Sequence, residues 1–252
     1  MSPTVFQIVS NLHLETQGSY EYNFKQTAPN LALLGDIGQV AHDALFAFLE
    51  KQLTRYWNFA KRIERLQARS TIGRFIFLDQ TRYDINTILT VLGCTLFSRV
   101  TQDQAAAVAG RLIDFRQILN WTVEDHVDAH LSDLRWLNTQ VAQISQTQPQ
   151  RQIVIFTHHS PTTDERATDI RHKGSPVASG FATNLGLEEC WTNPSVVMWA
   201  FGHTHFSCNF VDERGKRVVA NQRGYAMAPQ SAFDSEKTFV VGKETGSSML
   251  LV

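Results

Sequence analysis

An α/β fold is what this sequence predicts, and three observations predict it. Short apolar runs of strand length alternate with stretches whose apolar residues recur at helical spacing. Several runs stop at a glycine or in a polar cluster rich in His, Asn and Asp. Those clusters sit at strand ends, where open α/β sheets place their sites. The chain has 252 residues, which suits one domain over 1–252 with a sizeable core.

The elements follow in order. Val5–Val9 reads as a strand and ends in Ser10-Asn11-Leu12-His13-Leu14-Glu15. Asn11 and His13 share one side because side chains alternate along a strand. Leu31–Leu34 is a second strand, closed by Gly35-Asp36. From Ala41 to Leu66 the period turns helical, with Leu45, Phe48, Leu49, Leu53, Trp57, Ala60 and Ile63 on the apolar side. Arg55, Lys61, Arg62, Arg65 and Arg69 make its solvated face. Gly73–Leu78 and Asn86–Leu92, with Leu96-Phe97, read as strands joined by a turn over Asp79–Asp84.

Thr122, followed by Glu124 and Asp125, signals a helix start, and the helix runs to Ile144. His126 and His130 share a face of it. Packing or hydrogen bonding is the simpler role for that pair, with substrate contact as the alternative. Gln152–Phe156 is a strand ending in Thr157-His158-His159-Ser160-Pro161. Thr162 to Gly186 is a long polar loop of the kind that serves as a lid. His159 beside it, and Arg171 and His172 within it, are candidate contacts to an anionic substrate. Ser195–Phe201 is a buried strand that turns at Gly202 into His203-Thr204-His205. Phe206–Val211 and Lys216–Val219 form a strand pair, and Lys243–Ser248 reads as a loose end.

Composition removes other classes. Lys and Arg total 23 against 24 Asp and Glu, with no basic tract for nucleic acid and no acidic tail. No apolar stretch reaches the ~20 residues of a membrane span, and the amino terminus lacks a signal-peptide pattern. Cys94, Cys190 and Cys208 are scattered, without Cys-x-x-Cys spacing. The expectation is a cytoplasmic protein with reduced thiols and neither nucleic-acid nor membrane partners.

A lone His-x-His is more often structural than functional. Here it recurs beside Asn11/His13, Asp36 and His158/His159, all at strand ends. Imidazole and carboxylate together suit Zn, Mn or Fe, and a shared Asp can bridge two ions. Two such ions about 3.5–4 Å apart clamp an in-line phosphoryl displacement. Metal-assisted hydrolysis of a small phosphate ester, or binding of another anionic ligand, is the chemistry these residues point to.

Ser10-Asn-Leu-His-Leu-Glu15, Gly35-Asp36, Phe156-Thr-His-His-Ser-Pro161 and Gly202-His-Thr-His205 together resemble the ordered motifs of the calcineurin-like metallophosphoesterase family. The resemblance spans residues 5 to 241 and is nearest to the small fungal-type members. It implies a two-sheet β-sandwich flanked by helices, a four-layer α/β/β/α arrangement. It also implies Asp36 as bridging ligand, His13 and His205 on one metal, and His158 and His203 on the other. Asp36 and His203 then carry the catalytic load.

The chain departs from that pattern twice. Asn11 stands where the family has Asp, which removes a negative charge from the first metal position. The Gly-Asn-His-Glu/Asp motif is missing together with its strand, and Asn58, the nearest asparagine, stands in a helical context between Trp57 and Phe59. Two function classes therefore remain. One is a metal-dependent hydrolase with weakened or altered activity, and the other is a pseudoenzyme binding a ligand or partner in an incomplete metal site.

Overall fold

The computed structural model describes residues 3–63 and 75–242, with the backbone alone given for 54–63. Gly73, Arg74, Leu66, Arg65, Arg69 and the Lys243–Ser248 tail lie outside the described residues. So do the side chains of Arg55, Trp57, Asn58, Ala60, Lys61, Arg62 and Ile63.

Two sheets carry the fold. The smaller orders its strands β2-β1-β9, where β1 is Thr4–Val9, β2 is Asn30–Leu33 and β9 is Thr238–Val241. β1 runs parallel to β2 and antiparallel to β9. The larger orders β3-β4-β5-β6-β8-β7: Thr81–Asp84, Leu89–Cys94, Gln152–Thr157, Val196–Phe201, Arg217–Ala220 and Cys208–Val211. Its central strands β4, β5, β6 and β8 are parallel.

Side-chain alternation explains the layers. On β5, Val154 and Phe156 pack toward the small sheet with Phe6, Ile8, Leu34, Met198 and Ala200. Ile153 and Ile155 point the other way, joining Trp199 and Phe201 of β6 against Leu137, Val141 and Ile144 of a long helix. That helix is α4, Val123–Thr147. Strands buried on both faces read as continuous apolar runs, which is why β4 to β6 were legible. The outer face of the small sheet is covered by Leu45 and Phe48 of α1, Asp43–Ile63, with Leu12, Leu14 and Ile37. The order helix, sheet, sheet, helix is the expected four-layer sandwich.

Two short helices, α2 (Ala105–Arg111) and α3 (Asp114–Gln117), follow β4 and have no counterpart in the sequence reading. Val108 and Leu112 anchor them against Val177 and Phe181 of the 162–186 segment. α4 runs Val123–Thr147 from a capping box in which Thr122 and Asp125 satisfy each other's backbone N–H. α5 is a single turn, Glu189–Thr192. The expected lid is not structureless, since it carries 3-10 turns at Glu165–Ala167, Ile170–His172 and Ala178–Gly180. No described helix is long and apolar enough to cross a membrane.

Three local expectations fail. Phe75–Leu78 forms no strand: Phe75 and Phe77 are exposed. The strand lies instead at Thr81–Asp84, where a turn was expected, paired antiparallel to β4. Its polar, half-buried composition is that of an edge strand, which sequence periodicity underweights. Leu96 and Phe97 do not extend β4 but adopt φ of 69° and 39° in a sharp loop. β9 was not foreseen, because its pattern gains meaning only from pairing with β1.

Candidate metal centre

The parallel strands β1, β2, β5 and β6 all present their carboxyl ends at one edge, and the loops beyond them are stitched together. The N–H groups of Asn11 and His13 donate to the carbonyls of Gly35 and Asp36 at 3.1 and 2.9 Å, and Gly202 N–H donates to His158 O at 2.8 Å. The two sheets meet there through the bridge Ser10–Gln222.

Asn11, His13, Asp36, His203 and His205 all take φ between 46° and 66°, the left-handed region that side chains avoid. Strain of this kind, of order 1–3 kcal/mol per residue, gathers where function fixes a side chain. Gly35, at φ 86°, is needed for a further reason: a Cβ there would stand 2.2 Å from His158 Nδ1.

These loops converge on one oxygen. Asp36 Oδ2 lies 3.0 Å from Asn11 Nδ2, 3.4 Å from His158 Nε2, 3.7 Å from His13 Nε2 and 4.0 Å from His203 Nδ1. His13 Nε2 and His205 Nε2 stand 2.9 Å apart. The ligand atoms of His13, Asp36 and His205 fall within 4.8 Å of one another, and so do those of His158, His159 and His203. His158 Nδ1 must carry hydrogen to donate to Leu34 O at 2.9 Å, which leaves Nε2 toward Asp36. Glu15 holds His13 in the same way, at 3.3 Å from Nδ1.

Burial pushes His203 down to about 3 and His205 to about 4, so both are neutral near pH 7 and offer lone pairs. Burial would raise Asp36, but His158, His203 and His13 outweigh it and hold the carboxyl far below its usual range. Burial opposes protonation of His158, yet Asp36 wins and draws its pKa up. The neutral imidazoles of His203 and His205 beside a strongly acidic carboxylate, with His13 and His158 nearby, are a donor set that fits Zn, Mn or Fe.

Of the residues named from sequence, Asn11, His13, Asp36, His158, His203 and His205 come together. Asn11 is used differently from a plain ligand. Its Oδ1 accepts the His203 N–H at 3.0 Å, which orients the amide so that Nδ2 donates to Asp36. His159 is buried behind the site, its ring 4.0 Å from that of His203, and does not face the cavity as a substrate contact would. Its burial pushes it well below the ordinary histidine range. Asp169 holds the Arg171 guanidinium at 2.6 Å, and Arg171 does not line the cavity, whereas His172 does. His126 and His130 take the packing role, His126 Nε2 accepting from Ser98 and His130 Nδ1 donating to Leu96 O.

Sequence reasoning missed four contributors. Gln222 accepts the His205 N–H on Oε1 and donates to Thr204 and Phe206, fixing the histidine loop. Asn221 donates to Ile8 O and Asp234 O. Tyr225 packs against the His13 and His205 rings at 4.5 and 4.7 Å. The signal for these was a further polar strand end, Asn221-Gln222-Arg223-Gly224, after β8. Asp114 on α3 lines the same cavity, and burial, then Asp36, raise its pKa. Nothing in the sequence marks it, because α3 reaches the site only through tertiary packing.

No family model and no curated protein matches the sequence. Among solved structures, a phosphopantetheinyl hydrolase from Mycobacterium tuberculosis aligns at TM-score 0.53 and 11% identity, covering 89% of this chain and 91% of that one. The fold is that of the calcineurin-like metallophosphoesterases. A dimetal phosphatase from Danio rerio aligns at TM-score 0.47 and 12% identity, covering 88% of each chain. On the metallophosphoesterase fold, the strand-end histidines and Asp36 occupy the edge toward which all the parallel strands point.

Proposed function

We propose that this chain is a metal-dependent hydrolase of the phosphoesterase type, acting on a small phosphate ester. The observation that carries the reading is the convergence of three imidazole nitrogens and an amide on the single oxygen Asp36 Oδ2, within 4.0 Å. His13, Asp36 and His205 would hold one ion, and Asp36, His158 and His203 a second, with Asn11 beside them. Bound divalent ions supply Lewis acidity toward phosphoryl oxygens and acidify water near neutral pH.

The chain's own residues do the rest. Asp36 provides the charge shared between the two positions. Glu15 and the Leu34 carbonyl fix the ring orientation of His13 and His158. His203 is kept neutral by burial and by His158. Residues of segment 162–186, His172 among them, line the cavity, which supports a lid role for it.

A second reading has its own support in Asn11. The amide donates to Asp36 and so occupies, with a neutral group, the position where a second carboxylate would strengthen metal binding. A pocket built this way suits a ligand-binding protein without turnover. Purified protein is assayed for Mn, Fe or Zn and for cleavage of an aryl phosphate monoester and diester. Bound metal with turnover is expected. Metal without turnover selects the binding reading, and absence of both in folded protein overturns the metal centre itself.

A further inference from the structure

The cavity above the candidate metal centre is about 1250 Å³, larger than the roughly 300–1,000 Å³ of ordinary small-molecule sites. A phosphate ester with a small leaving group would leave most of it unfilled. Its charges are distributed unevenly. Glu165 and Asp169 on the lid segment are each neutralised, by Lys173 at 2.7 Å and Arg171 at 2.6 Å. Arg99, which follows β4, and Arg111, which ends α2, line the same cavity. Among the described residues neither guanidinium has an ion pair or a hydrogen bond. This part of the lining is joined to the lid segment, since Val108 and Leu112 pack with Val177 and Phe181, and Arg99 N–H donates to Thr183 Oγ1 at 2.8 Å. The cavity lining is largely apolar, with Leu112, Ile113, Phe181 and Tyr225 among its residues.

We propose that Arg99 and Arg111 form a second anion subsite, so that the substrate is a phosphoester carrying another anionic group at the far end of an apolar spacer. The inference rests on the hydrolase reading for the first phosphate and adds the class of molecule attached to it. Two guanidinia without an ion pair among the described residues, lining the same cavity as the metal-centre side chains, are suited to a phosphate or carboxylate. Asp114 on α3 lines the cavity too and forms no ion pair with either arginine.

Binding tests this without requiring turnover. In the presence of Mn, titration calorimetry compares a series of α,ω-alkane bisphosphonates with alkyl monophosphonates of matching chain length. The best bisphosphonate is expected to bind at least about tenfold more tightly than its monophosphonate, the gain of one charge-assisted contact. In the Arg99→Ala/Arg111→Ala double variant that ratio falls to near one. A wild-type ratio below about twofold at every length overturns the proposal, and so does a ratio that survives in the variant. Failure of the hydrolase reading looks different: the bisphosphonate preference persists while aryl phosphate is not cleaved.

Discussion

The strand ends of the six-stranded sheet deliver three imidazoles, His158, His203 and His205, from a packed interior, whereas those of the three-stranded sheet deliver one, His13, together with the charge of Asp36, from a thinner layer. His158 and His203 emerge from β5 and β6, whose faces are covered on both sides by core side chains. Phe181 stacks on His203 at 4.8 Å, and His159 backs it from behind. On the small sheet, β2 pairs with β1 alone among the described strands, yet its end carries Asp36, the one carboxylate in the two ligand groups. Geometry is therefore secured by the large sheet and electrostatics by a single residue of the small one. Loss of charge should cost more than loss of one imidazole.

The largest expected effect follows directly. Asp36→Asn is expected to abolish metal retention and to lower phosphoesterase turnover by roughly 10²–10³ or more, while His158→Ala retains part of the metal. Metal content after dialysis and initial rates check this. Equal metal loss in both variants would break the contrast between charge and imidazole.

Acid separates the two halves next. Burial, reinforced by His130, pushes His126 down to about 4, and its ring holds the Ser98 loop beside β5. The unfolded chain takes up that proton near pH 6.5. The folded state therefore binds fewer protons between those values, and stability present above pH 6.5 is lost as pH falls toward 4. The loss attributable to His126 is on the order of 3 kcal/mol by the bottom of that window. Urea unfolding at a series of pH values, compared with His126→Gln, reads it as a shallower slope in the variant. Parallel slopes would remove His126 from the account.

The same contrast explains what the sequence revealed. The six clustered side chains were legible because each sits at the end of an apolar run or beside a glycine, a pattern set by local chemistry. β5 and β6 announced themselves through burial on both faces. β3, α2, α3 and β9 did not, because they are held by pairing with β4 and β1 or by contacts such as Val108 with Phe181. Periodicity carries no trace of those partners. Arg171 shows a related limit: its charge and that of Asp169 are visible in the sequence, but their pairing is not. Arg99 and Arg111 were overlooked because an unpaired cation is defined by neighbours the chain brings from elsewhere.

The smallest effect tests the charge argument at its most sensitive point. Asn11 Nδ2 donates to Asp36 at 3.0 Å while Oδ1 accepts from His203 N–H at 3.0 Å, so the amide stabilises the loops without any ion. In Asn11→Asp the Oδ1 acceptor is kept, but the donor becomes a second carboxylate oxygen facing Asp36. Without metal, that repulsion lowers the melting temperature. With Mn, the added charge is compensated and affinity rises about tenfold, which corresponds to about 1.4 kcal/mol. The gap in melting temperature between metal-free and Mn-loaded protein should therefore widen relative to wild type. Differential scanning fluorimetry across a Mn titration reads both halves of this expectation. A variant more stable than wild type without metal would mean that Asp36 is not ionised there. The charge of the small-sheet half would then be absent until the metal arrives.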